Sequence, residues 1–137
     1  MSSFDDASRA SFYKTYRDRS AVVLKQKHIT QYDYEFGQLT NSTSSMSVLE
    51  IGCGSGNFLR YLKHKGHGEI VGIDMDDQLA DALSDLNEVE ICLDDVANIL
   101  KTTLKGRAFD RIVLLDVLED IDFPVLRDLI INLHNHI

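Results

Sequence analysis

The sharpest chemical pattern in the chain lies between residues 50 and 56, where Glu50, Gly52, Gly54 and Gly56 alternate within VLEIGCGSG. Glycines spaced in this way after a buried strand let backbone N–H groups and a helix N-terminus approach a ligand closely, most often a phosphate. The dinucleotide form of such a loop needs G-x-G-x-x-G or A, and counting from Gly52 and Gly54 the last position is Asn57. A carboxylate at Glu50 would also repel a pyrophosphate, whereas it suits a ligand carrying an ammonium group. The expected ligand is therefore partly cationic, and a nicotinamide dehydrogenase is disfavoured. A tight turn without a ligand would not require three glycines.

Further acids stand at the ends of other apolar runs: Asp74 closes EIVGID, Asp94 and Asp95 follow VEICL, and Asp116, Glu119 and Asp120 follow FDRIVLL. Each can serve a ligand, or it can stand at a solvated strand end or cap a helix. His64 and His67 flank lysine and glycine at an expected helix end, and His134 and His136 are two apart, so neither pair has the geometry of a metal site. Arg60, Lys63 and Lys65 read as a solvated helix face, and Cys53 and Cys92 as small residues without a CxxC spacing.

The elements that would position these groups follow from periodicity. Strands are expected over 47–51, 69–74, 89–93 and 109–118, and helices over 57–65, around Leu79, Ala82, Leu83 and Leu86, over 96–105, and from Phe123 to His136 with Pro124 in its first turn. Strands alternating with helices imply right-handed βαβ units, a doubly wound parallel sheet in the order 3-2-1-4, and a ligand crevice beyond the carboxyl ends of strands 1 and 4. Before this domain (47–137), residues 1–46 read as a helical cap and linker. Val22, Ile29, Tyr32, Phe36 and Leu39 share one face behind Ser20, while Phe4, Phe12, Tyr13 and Tyr16 suggest a shorter helix, whose tyrosines either pack or form a lid; NSTSS (41–45) is a polar connector.

In four motifs and their order the chain resembles the class I, Rossmann-like S-adenosylmethionine-dependent methyltransferases over about residues 47–123. The motifs are VLEIGCGSGNFLRYL, GIDMD, VEICLDDVANIL and FDRIVLLDVLEDI. The resemblance implies S-adenosylmethionine as cofactor, held by Glu50, Gly52, Cys53, Gly54 and Gly56. Asp74 would accept hydrogen bonds from the ribose and Met75 would lie against the adenine. Asp95 would meet the adenine amino group beside Val96, with Asp94 as the competing register. Asp116 would face the methionine portion and the acceptor. Asp116, Glu119 and Asp120 are then the candidates for substrate-side roles, although many relatives carry histidine where this chain has Asp120. The family's sheet has seven strands, so three are expected beyond the fourth that these 137 residues do not hold. The free edge of strand 4 would then be covered by more sequence, a partner chain or a second copy.

Composition narrows the partners. A net charge of −8 and no clustered basic face disfavour nucleic acid, and no apolar stretch approaches a bilayer span. The N-terminus lacks the pattern of a signal peptide, and the cysteine usage suits a reducing compartment, so a cytoplasmic protein with a small-molecule acceptor is expected. The alternative is a catalytically silent S-adenosylmethionine-binding or assembly module.

Overall fold

The structure, a computed structural model, describes residues 23–137; the expected short helix with Phe4, Phe12, Tyr13 and Tyr16, together with Ser20 and Val22, lies outside the described residues. The element order is α1 (Gln26–Tyr32), a π-helical turn (Asp33–Gln38), β1 (Val48–Ile51), α2 (Asn57–His64), β2 (Ile70–Asp74), β3 (Glu90–Leu93), α3 (Val96–Lys101), β4 (Arg111–Leu114) and α4 (Phe123–His134). The four strands form one parallel sheet in the order β3-β2-β1-β4, as the alternating pattern predicts.

β1 is buried at all four positions because it has a strand on either side and helices on both faces. Its alternate residues feed two cores. Val48 joins Phe36, Phe58, Leu59 and Leu62 on the α1–α2 face, and Leu49 and Ile51 join Ile99, Leu100, Leu129 and Leu133 on the α3–α4 face. Each fully buried aliphatic side chain of this kind contributes about 1.5–3 kcal/mol.

The N-terminal helical segment packs into the first of these cores. Phe36 and Tyr32 set their rings edge-on against Phe58, with centroids 5.2 and 5.0 Å apart. Leu39, expected on the same face, is 63% exposed instead, because the π-helical turn at Asp33–Gln38 shifts the phase of everything after it. The polar connector that follows is anchored, since Arg111 donates to the Thr40 carbonyl at 2.8 Å and to Ser42 Oγ at 3.1 Å.

The segment after β2 departs from the expected helix. Asp77–Leu79 is a single 3₁₀ turn, and the chain continues as turns in which Leu86 N–H donates to Leu83 O. In an α-helix that donor would go to Ala82 O, but Arg60 Nη2 takes this carbonyl at 2.9 Å while the same guanidinium grips Asp85 at 2.6 and 2.9 Å. Arg60 is thus a structural clamp rather than a solvated face. Leu79, Leu83 and Leu86 still point into the core, as their spacing predicts, whereas Ala82 is exposed. α2 ends at Gly66 (φ +85°), with Gly66 N–H bonded to Lys63 O and His67 N–H to Leu62 O. His67 is buried there with Nδ1 2.9 Å from the Met46 carbonyl, so it packs inside the helix end rather than on its surface.

Among the described residues β4 pairs with β1 along one side only, and its four residues are half-buried. Beyond it α4 buries Leu129 and Leu133 but exposes Phe123, Val125, Ile130 and Ile131. Among the described residues no helix is long and apolar enough to cross a membrane.

Candidate functional site

The loop after β1 leaves the strand through three left-handed glycines, Gly52 (φ +76°), Gly54 (φ +53°) and Gly56 (φ +87°). Two of them are also forced by close approach. A Cβ on Gly52 would stand 2.5 Å from Val117 Cγ2, and one on Gly56 2.7 Å from Leu83 Cδ2 and 2.8 Å from Leu86 Cδ1. The loop is therefore wedged between the chain after β4 and the leucine turns after β2. Packing alone accounts for Gly52 and Gly56.

Asp74 and the loop are joined directly. Gly54 N–H donates to Asp74 Oδ2 at 2.9 Å, and Asp76 N–H donates to Asp74 Oδ1 at 3.0 Å. Gly52 and Cys53 donate to the Ile73 carbonyl at 2.8 and 3.0 Å. The end of β2 thus fixes the loop by backbone bonds, and the Asp74 carboxylate keeps its remaining lone pairs for other donors.

Glu50 is the anomaly of the site. It lies in β1 between Gly72 of β2 and Val113 of β4, is 3% exposed, and its Oε2 is buried without a hydrogen-bond partner. Burial, with Asp74 adding to it, pushes its carboxyl well above the usual glutamate range. An acceptor orphaned in this way costs about 1–3 kcal/mol, and a cationic donor would remove that cost. Cys53 beside it is no nucleophile: burial, and then Glu50 and Asp74, push its thiol far up.

The other expected residues lie around the same end of the sheet. Met75 is 82% exposed just past Asp74. Asp95 is the N-cap of α3, accepting from Asn98 N–H at 3.1 Å, and Asp94 accepts from Asp95 N–H and from Asn98 Nδ2, both at 2.7 Å. Both registers of the third motif therefore serve as caps, and both side chains are exposed; Val96 follows them, half-buried. Asp116 is exposed with φ +53°, a left-handed conformation uncommon for a non-glycine residue, and Val117 after it fills the space above Gly52. Glu119 and Asp120 sit exposed in the 3₁₀ turn Leu118–Asp120. Hydrogen bonds and packing thus join Asp74 to the glycine loop and the loop to the Asp116–Val117 corner, and Asp120 meets that corner through its backbone N–H, which donates to Val117 O at 3.2 Å.

Two residues were missed from the sequence. Asn57 Nδ2 donates to the Tyr32 hydroxyl at 3.2 Å, and Asn57 Oδ1 is buried without a partner. Burial raises Tyr32; the Asn57 hydrogen bond opposes this, and Glu50, Asp116 and Glu35 add to the rise. Asn57 drew notice only as a failed dinucleotide glycine, and Tyr32 only as one of an apolar stripe. Residue spacing carries no sign that the two meet.

Among the described residues no three histidine, cysteine or acidic side chains group as a metal site. Two concavities border the N-terminal helical segment: about 360 Å³ bounded by Phe36, Ser42, Lys65 and His67, and about 250 Å³ between Tyr32, Phe58 and Ile112–Leu115 of the β4 edge.

Known structures share this arrangement. A SAM dependent methyltransferase from Archaeoglobus fulgidus is 21% identical, with TM-score 0.60, over 91% of this chain and 48% of its own. A TehB-like SAM-dependent methyltransferase from Corynebacterium glutamicum is 20% identical, with TM-score 0.64, over 97% and 68%. The plantazolicin methyltransferase BpumL, solved with a pentazolic desmethylPZN analog and SAH, is 21% identical, with TM-score 0.68, over 98% and 51%. At these identities the likeness is one of fold, and the chain spans only about half to two thirds of their length. No curated protein matches it significantly in sequence. The family model described as "Methyltransferase domain" matches residues 27–136, and the chain belongs to that family.

Proposed function

We propose that the chain binds S-adenosylmethionine at the carboxyl ends of β1 and β2 and takes part in methyl transfer to a small-molecule acceptor. The observation that carries this reading is the buried, unpartnered Glu50 Oε2 beside three left-handed glycines, a cradle that suits a cationic ligand and not a pyrophosphate. When bound, the cofactor supplies an electrophilic methyl group on its sulfonium. The residues present fit it. Glu50 accepts from the ammonium group, the glycine loop lets the ligand approach the backbone, and Asp74, oriented by Gly54 and Asp76, offers its free lone pairs to the ribose. Met75, an exposed apolar side chain, would lie against the adenine, and Asp95, the N-cap of α3, would border the ring with Val96.

On the acceptor side Asp116 is positioned by its left-handed corner at the end of β4, and it is the group placed to orient a nucleophile or hold its proton; Glu119 and Asp120 stand one turn further out. The free edge of β4 is where this side would be completed, by further sequence, by a partner chain or by a second copy pairing strand to strand. A silent binding module shares every cofactor contact and differs only in turnover.

Calorimetric titration with S-adenosylhomocysteine tests the binding step. The expected result is one site per chain, weakened at least tenfold by Asp74→Ala, and a folded chain that binds neither this ligand nor S-adenosylmethionine would overturn the reading. Labelled methyl transfer to a panel of small acceptors then separates enzyme from silent module.

A further inference from the structure

We propose that Tyr32, from the N-terminal helical segment, and Asn57, at the start of α2, join Glu50 in a three-oxygen receptor for the ligand's ammonium group. This inference rests on the cofactor reading above and adds to it two residues from outside the glycine loop.

The argument starts from unsatisfied oxygens. Among the described residues the buried side-chain oxygens without a partner are Glu50 Oε2 and Asn57 Oδ1, seven residues apart in sequence and on either side of the same loop. Both are acceptors, so what is missing is a donor. Asn57 spends its Nδ2 on the Tyr32 hydroxyl at 3.2 Å, which leaves the tyrosine oxygen a second lone pair. An ammonium group has three N–H donors and no acceptor, and so matches three oxygens without leaving any of them orphaned.

Charge points the same way. Among the described residues the charged groups that act most on the Tyr32 hydroxyl are acidic: Glu50 on β1, Asp116 after β4, and Glu35 on the π-helical turn. Of the basic residues in and just after α2, Arg60 is paired with Asp85 at 2.6 Å and Lys65 with Asp33 at 3.0 Å. These acceptors and carboxylates favour a cation. Tyr32 is also rigidly placed, with its ring edge-on to Phe58 at 5.0 Å and tilted on Tyr61 at 5.1 Å. A hydroxyl held by two aromatic contacts loses little freedom on binding.

The test compares three ligands on the wild type, Tyr32→Phe and Asn57→Ala. S-adenosylhomocysteine carries both ammonium and carboxylate, its decarboxylated analogue only the ammonium, and 5′-methylthioadenosine neither. Tyr32→Phe keeps the ring and its packing, and melting curves confirm that each variant is folded. The expected result is a five- to tenfold loss of affinity for the first two ligands in either variant, with methylthioadenosine binding unchanged. A loss confined to S-adenosylhomocysteine would put the hydroxyl on the carboxylate and overturn the receptor, as would an equal loss for all three ligands or none for any. A folded wild type that binds none of the three would sink the cofactor reading itself, a different result from a wild type that binds them while the variants behave alike.

Discussion

β1 and β4 are paired strands of equal length in register, Val48 to Arg111 through Ile51 to Leu114, yet they live in different surroundings. β1 is buried throughout and even encloses a carboxyl group; β4, equally apolar over Ile112–Leu114, stays half-exposed. The difference is one of neighbours, because a parallel strand is buried on both faces only where helices and flanking strands enclose it. The half around β1 and β2 is accordingly dense enough to hold a buried carboxyl group, and the half beyond β4 is open. Such a group is held only where packing over-determines it.

The largest expected effect sharpens this contrast directly. Leu49 and Ile112 are register partners on the same face, the first fully buried and the second only partly. Leu49→Ala should cost about 3–4 kcal/mol, near the upper part of the range for buried aliphatics, and Ile112→Ala about half as much or less. Denaturant unfolding measures both, and equal costs would break the comparison by showing β4 to be as enclosed as β1.

How far the sequence carried this picture depends on what each residue had to meet. Strand positions and their order were legible, because a buried parallel strand leaves an apolar run and βαβ handedness leaves few topologies. The glycine loop and Asp74 were legible for the same local reason. The 77–86 segment was not: its leucines kept a helical spacing, but a guanidinium from α2 captured Ala82 O and Asp85, an event fixed by tertiary contact. Leu39 went astray through the π-helical turn, which no periodicity announces. Tyr32 and Asn57 meet at 3.2 Å across 25 residues, and residue type alone cannot show that.

A smaller effect, with a definite sign, comes from Glu50. Its carboxyl titrates well above the ordinary 4.5 because of burial, with Asp74 adding. Folding therefore takes up a proton in the window between that ordinary value and the folded one, and the stability contributed by the protonated form is lost as the pH rises through it. Glu50→Gln removes this dependence. The variant should match the wild type near pH 4 and gain on it as the pH rises through the window, by at most about 1.4 kcal/mol per pH unit. Its affinity for S-adenosylhomocysteine should fall over the same range. Melting temperatures of the two proteins between pH 4 and 8 check the point, and parallel curves would mean that the carboxyl is hydrated and the buried half less dense than its burial indicates.

The smallest expected effect tests the open side. On α4, Leu129 and Leu133 face the core while Ile130 and Ile131 are 56% and 60% exposed, so consecutive residues sample opposite conditions. Leu129→Ala creates a cavity and belongs with the buried strand residues in cost. Ile131→Lys creates none, exchanges a β-branched residue for a better helix former, and should change stability by no more than about 0.5 kcal/mol in either direction. A free apolar face beside an unpaired strand edge also attracts copies of itself. The same substitution should therefore reduce any concentration-dependent association seen by sedimentation. A cost well above 1 kcal/mol would instead show that this face is covered in solution, and the asymmetry between β1 and β4 would then belong to the isolated chain and not to its working form.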